Sequence, residues 1–246
     1  MDESRLVQLI NIRKSFGRVV ALEAVSLDVG YNEVVGLVGD NGAGKSTLIK
    51  ILSGVFPPDE GEVFWQGRKV VFSSPHDAIH AGIETIYQET AVVDSMTVMR
   101  NIFMGREMVR QVGPLRWLDL RRMARESVKA LEMVDLRLRS ATAMVGELSG
   151  GQRQGVAIAR AMYFKTKLLI LDEPTNNLSV KESKRILDFI VELKKQGISS
   201  IFITHNLHHV YPIADRIFVL SRGVETGVYR KEETSVDELT ELITLK

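Results

Sequence analysis

With 246 residues, 45% of them hydrophobic and 26% charged, the chain has the balance of one large globular domain or of one domain carrying an inserted subdomain. Lysine plus arginine number 32 against 31 aspartates plus glutamates, so no basic field points to nucleic acid or to an anionic membrane surface. Cysteine is absent, which excludes disulfides, thiolate metal sites and cysteine nucleophiles and fits a reducing cytosol. The start MDESRLVQLI lacks the basic and apolar regions of a secretory signal, and no apolar run has the length of a membrane span, so a soluble chain that meets a membrane only through a partner is expected.

In chain order, LVQLINIRKSF and AVSLDV read as edge-type antiparallel strands around a turn at Gly17, forming a small β layer. Val34 to Val38 is a short, β-branched apolar run of the kind that forms a buried parallel strand. Leu48, Ile49, Ile51 and Leu52 then mark a helix that stops at Gly54. Between about Thr90 and Ala159 strand signals fade, while Ser127, Val128, Leu131 and Val134 recur at helical spacing. Leu168 to Leu171 and Ile201 to Ile203 return to the buried-strand pattern, separated by a helix through Ile186, Leu187, Ile190, Val191 and Leu193. The alternation predicts an α/β fold with a mostly parallel sheet, an N-terminal antiparallel β layer and an inserted α-helical subdomain. One domain over 1–246 is expected, with a core of 1–89 and 160–246 and a helical subdomain of 90–159.

The sequence Gly39-Asp40-Asn41-Gly42-Ala43-Gly44-Lys45-Ser46-Thr47 fits G-x-x-x-x-G-K-[ST] and lies where that phosphate-binding loop belongs, between a strand and a helix. Backbone N–H groups of the glycine-rich turn cradle phosphate oxygens, the helix N-terminus adds its dipole, Lys45 reaches the β- and γ-phosphates, and Ser46 ligates Mg²⁺. ATP and Mg²⁺ are thus the expected ligands. A metal-bound triphosphate needs a further carboxylate, and KLLILDEP supplies Asp172 at a strand end with Glu173 next to it. Asp172 is assigned to Mg²⁺ through its water shell and Glu173 to the attacking water, as general base.

Leu148-Ser149-Gly150-Gly151-Gln152 precedes the helical run VAIARAM and offers a second anion site at a helix N-terminus, from Ser149 and the N–H groups of Gly150 and Gly151. One ATP has no use for two such sites from one subunit. The economical reading is that the second grips the γ-phosphate of an ATP held by another copy, in a head-to-tail dimer. The histidines at 205, 208 and 209 do not read as a metal cluster, since no acidic residue stands nearby before Asp215.

With these motifs in this order, the P-loop NTPase core resembles the ATP-binding cassette (ABC) family over essentially the whole chain. The resemblance implies that Phe16 stacks on adenine, that Gln88 in IYQE meets Mg²⁺ and water, and that His205 in FITH contacts the γ-phosphate. The pattern departs from the family at Asn176-Asn177-Leu178-Ser179, where most cassettes read S-A-L-D; the aspartate that couples the two sites of the dimer is replaced by Ser179. NGAGKSTLIKILSGVFPPDEGEV, GIETIYQE, NIFMGRE and LSGGQRQGVAIARAM resemble the ATPases of bacterial carbohydrate importers of the ribose and fructose type, in a short single-cassette form without a C-terminal regulatory domain. That implies an integral-membrane permease as direct partner, a solute-binding protein as indirect one, and a cytoplasmic chain held peripherally at the inner face of the membrane. The apolar run Val92, Val93, Met96, Val98, Ile102 and Phe103 is the expected groove for a coupling helix of the permease. An assembly scaffold of the iron–sulfur type, or an importer of another small solute, is the alternative. A DNA-repair cassette needs a long coiled coil that this insertion is too short to hold, and a translation factor needs tandem cassettes.

Overall fold

The computed structural model describes residues 5–86, 92–176 and 179–244. In chain order it begins with strands β1 (Arg5–Phe16), β2 (Val19–Gly30) and β3 (Val34–Val38), helix α1 (Lys45–Leu52), strands β4 (Glu60–Trp65) and β5 (Arg68–Val70), helix α2 (Pro75–Ala81) and strand β6 (Ile83–Ile86). Next come α3 (Val98–Ile102), the hairpin strands β7 (Val109–Val112) and β8 (Leu115–Leu118), α4 (Leu120–Glu132) and α5 (Gly150–Tyr163). The chain closes with β9 (Leu168–Asp172), α6 (Val180–Lys195), β10 (Ser199–Ile203), α7 (Leu207–Val210), β11 (Arg216–Ser221), β12 (Val224–Arg230) and α8 (Val236–Thr244). Two compact units result, one of residues 1–88 with 167–246 and one of residues 89–166.

The first unit carries two sheets. A four-stranded antiparallel sheet runs β2-β1-β4-β5, and a six-stranded sheet runs β12-β11-β3-β10-β9-β6. In the latter β11, β3, β10, β9 and β6 are mutually parallel and only the edge strand β12 is antiparallel. Every residue of β3 and β10 is buried, as the continuous apolar runs require of strands covered on both faces. The twelve-residue strands β1 and β2 instead alternate between buried and open positions, the signature of a sheet with one wet face. Leu48, Ile49, Ile51 and Leu52 of α1 join one buried cluster with Leu9 and Ile12 of β1 and Leu37 of β3. Ile186, Ile190 and Leu193 form the buried stripe of α6. At the start of β11, Arg216 donates to Glu33 at 2.6 Å and to Asp28 at 2.9 Å. Burial works against its charge, but the two carboxylates outweigh burial and raise its proton affinity.

The second unit has a core of its own, in which Val98, Ile102 and Phe103 of the α3 region pack with Met123 and Leu131 of α4 and Val156 and Ala159 of α5. This corrects the expectation for the apolar run 92–103. Val98, Ile102 and Phe103 are wholly buried core, which leaves Val92, Val93 and Met96, each half-buried, as the part open to a partner. Asn101 fixes that part: its side chain accepts from Val93 N at 2.6 Å and donates to Val93 O at 3.0 Å. The β7–β8 hairpin is an addition to the helical reading. Its β8 residues are all exposed, so no in-out alternation marked it, and its turn is the Gly113-Pro114 pair.

Candidate active site

The phosphate loop leaves the buried end of β3 through Gly39, whose φ is +150°. A Cβ there would lie 2.0 Å from the Leu220 carbonyl oxygen, so only glycine lets the chain pass β11. The loop enters α1 through Gly44, a left-handed N-cap with φ +102°, where a Cβ would meet the Ala21 carbonyl oxygen at 2.6 Å. No side chain caps α1 and no acidic residue stands in its first turn, which leaves its free N–H groups and positive dipole end for an anion. Lys45, the first helical residue, is only 8% exposed. Its ammonium donates to Gly39 O at 2.6 Å and Asp40 O at 2.8 Å, folding back over the turn it must hold. Burial lowers its proton affinity, while Glu173, Asp172 and Asp40 act the other way.

A cleft of about 460 Å³ opens over this loop, lined by Asn41 to Thr47, by Val19 to Ala21, and by Asp172, Glu173, Asn176 and His205. The parallel register of β9 with β10 and of β10 with β3 accounts for the gathering, since all three strands end at the same side of the sheet. Asp172 is the last residue of β9; burial and the neighbouring Glu173 raise its proton affinity against the pull of Lys45 and Lys50. A carboxyl so placed is kept ionised by a cation. Together with the Ser46 hydroxyl it offers the hard oxygen donors that suit Mg²⁺, an ion that keeps most of its water and needs few protein ligands.

Glu173 has φ +50°, a left-handed backbone on a residue that is not glycine. Its N–H donates to Ile203 O at 3.0 Å. Its carboxylate accepts three hydrogen bonds: Oε1 from His205 N–H at 3.1 Å and from His205 Nδ1 at 2.8 Å, and Oε2 from the Thr204 hydroxyl at 3.0 Å. Because a carboxylate only accepts, Nδ1 of His205 bears the hydrogen. The exposed imidazole can then donate to a phosphate through Nε2 only as the imidazolium, or through Nδ1 after its ring turns away from Glu173.

The remaining residues singled out in the sequence are less uniformly placed. Gln88, Asn177 and Leu178 lie outside the described residues. Phe16 is 49% exposed and packs edge-to-face with Phe56, with ring centroids 5.4 Å apart; it does not line the cleft. Val19 and Val20, which do line it and are 68% and 45% exposed, were passed over. Their signal was two adjacent β-branched residues at a strand start just past the Gly17 turn, a pattern shared with countless strands. Asn176 and Thr204 were assigned no role, although both lie within quoted stretches, Asn176 in the loop that departs from the family pattern and Thr204 just before His205 in FITH. Of the neighbouring histidines, His209 is paired through Nδ1 with Thr175 Oγ1 at 2.9 Å.

Ser149, Gly150, Gly151 and Gln152 lie in the second unit, at the start of α5. Ser149 is its N-cap in a full capping box: its hydroxyl accepts from Gln152 N at 3.3 Å, and Gln152 Oε1 accepts from Ser149 N at 3.0 Å. The Ser149 hydroxyl hydrogen and the N–H groups of Gly150 and Gly151, which as first-turn donors have no intrahelical acceptor, remain for an anion. Arg153, one residue further on, anchors the preceding loop by donating to Leu148 O, Gly146 O and Asp94 Oδ2 at 2.9 to 3.1 Å.

Known proteins fit this geometry. Residues 22–176 match the ABC transporter family. The chain is 46% identical to the xylose/arabinose import ATP-binding protein of Sulfolobus acidocaldarius, over 98% of this chain and 94% of that one. It is 39% identical to the fructose import ATP-binding protein of Rhizobium meliloti, over 99% and 95% of the two chains. Among solved structures, a nucleotide-free ATP-binding cassette from an ABC transporter superposes with a TM-score of 0.83 at 30% identity, covering 97% of this chain and 98% of the other.

Proposed function

Because the chain belongs to the ABC transporter family, we propose that it is the ATP-hydrolysing subunit of an importer for a sugar, active as a dimer on a membrane permease. The observation that carries the chemistry is the convergence of the phosphate loop, Asp172, Glu173 and His205 on one cleft. The sugar rests on the names of the two import proteins that match the chain nearly end to end.

In this reading ATP lies with its phosphates on the loop from Gly39 to Thr47 and its base toward Val19, Val20 and Phe16. Ser46 and, through water, Asp172 would hold Mg²⁺, with Gln88, outside the described residues, as a further ligand on the family pattern, and the ion would supply charge neutralisation at the β- and γ-phosphates. Glu173 takes a proton from the water that attacks the γ-phosphorus. The water oxygen–phosphorus bond forms as the bond to the bridging oxygen breaks, and ADP and phosphate leave. His205 and the buried Lys45 hold the γ-phosphate in line. The second copy contributes its Ser149 to Gln152, so that each ATP is enclosed between two chains and closure of the dimer follows ATP binding.

Among the described residues no helix is long and apolar enough to cross a membrane, so the membrane component is assigned to the permease. The permease docks on Val92, Val93 and Met96, a solute-binding protein delivers the sugar from the other side, and the chain sits on the cytoplasmic face. The test is copurification with the permease, followed by ATPase assays of the complex. Met96→Glu should leave basal hydrolysis within about twofold and abolish its stimulation by permease; loss of basal activity as well would sink the docking assignment.

A further inference from the structure

Glu173 is held by two neighbours of opposite character. His205 is open, with its side chain 55% exposed, and has a second task at the γ-phosphate in the reading above. Thr204 is 1% exposed and fixed on every side. Its N–H donates to Leu37 O at 3.3 Å, tying it to β3. Its hydroxyl accepts the N–H of Asn206 at 3.0 Å and donates to Glu173 Oε2 at 3.0 Å. With one lone pair occupied by Asn206, the hydroxyl hydrogen is left with the carboxylate as its acceptor.

The two carboxylate oxygens are consequently unequal. Oε1 takes two hydrogens from His205, which uses both of its in-plane lone pairs. Oε2 takes one, from Thr204, and keeps a lone pair for a water proton. The Glu173 backbone is in the left-handed region, so the orientation of this side chain is not one that local preferences supply. When the imidazole turns toward a phosphate, the backbone N–H of His205 keeps its bond to Oε1, and Thr204 is the side-chain donor that stays and the donor to Oε2.

We propose that Thr204 is the positioning residue for hydrolysis: its hydroxyl fixes the Glu173 carboxylate while the His205 imidazole is engaged elsewhere. This rests on Glu173 being the general base. Removing the hydroxyl takes away the one donor to Oε2 and leaves a carboxylate less well aimed at the attacking water. Thr204 does not line the cleft, so nucleotide affinity should be indifferent to it.

The test compares Thr204→Val, Thr204→Ala and Thr204→Ser with the parent in steady-state ATPase assays, with thermal melts alongside. Val and Ala should lower kcat about tenfold, a fraction of what a general base supplies. They should leave KM for ATP within about twofold. Ser should restore the rate. Val and Ala variants with parental kcat would overturn the proposal, as would a Ser variant as impaired as Ala. Ala guards against loss of fold in Val, because it puts no extra methyl group against the Asn206 N–H. Glu173→Gln, assayed in parallel, separates the two levels. If it retains turnover, the assignment of the base is wrong; if it is inactive while Thr204→Val and Thr204→Ala behave as parent, only the role of Thr204 falls.

Discussion

Two helix N-termini in this molecule are offered to phosphate, and they are built differently. At α1 the cap is a glycine, the first helical residue is a buried lysine, and two carboxylates and a histidine stand around the same cleft. At α5 the cap is a serine locked in a capping box and the first two helical residues are glycines. The first terminus can bind Mg-ATP by itself, because it has full charges and a concave wall. The second has only a hydroxyl, two backbone N–H groups and a partial positive charge, which is enough to complete a phosphate's coordination but not to hold a nucleotide. In the proposed function one is a binding site and the other a closing surface.

That contrast is most severely stressed by Lys45→Ala. It should reduce turnover by about a hundredfold or more, on the scale of losing a preorganised charged donor, and weaken ATP binding, with no ATP-dependent dimer. Next comes Gly151→Asp, which places a carboxylate in the first turn of α5. The helix itself should gain by about 0.5 kcal/mol from the dipole, so folding is spared. Hydrolysis should fall at least tenfold while binding of a fluorescent ATP analogue to the separate chain stays near the parental value. Equal loss of binding in both variants would erase the distinction between the termini. The smallest effect sharpens the first site. In the folded chain Asp172 keeps its proton to higher pH than in the unfolded one, through burial and Glu173. Its ionised form therefore costs stability, and the cost sets in as pH rises from the ordinary carboxylate value through the raised one. Asp172→Asn should raise the nucleotide-free Tm at neutral pH by about 2 °C. With Mg-ATP present the order should reverse, because the parent gains more from the bound ligand.

Most of this site was legible before any coordinates, because phosphate binding leaves residue types that few other tasks require: Gly39, Gly44 and Lys45 at fixed spacing, and Asp172-Glu173 ending an apolar strand. The strands around them were legible for the same reason, since a strand buried on both faces must be an unbroken apolar run. What escaped was of two kinds. Thr204, Asn176, Val19 and Val20 act through position alone, and nothing in a threonine or a valine announces that a strand end will bring it to a carboxylate or a cleft. The β8 strand of the β7–β8 hairpin is exposed at every residue, so it left no period in the sequence. The run from Val92 to Phe103 erred in the other direction: apolar residues that pack a small core and apolar residues that await a partner look alike until Val98, Ile102 and Phe103 are seen to be fully covered.

The central claim is that the loop from Gly39 to Thr47 is half of a site whose other half is the start of α5 in a second copy. The most direct measurement is sedimentation of the Glu173→Gln chain with and without Mg-ATP. The account predicts single chains without nucleotide and, with it, particles of two chains holding two ATP. Chains that remain single with ATP bound at saturation would contradict it.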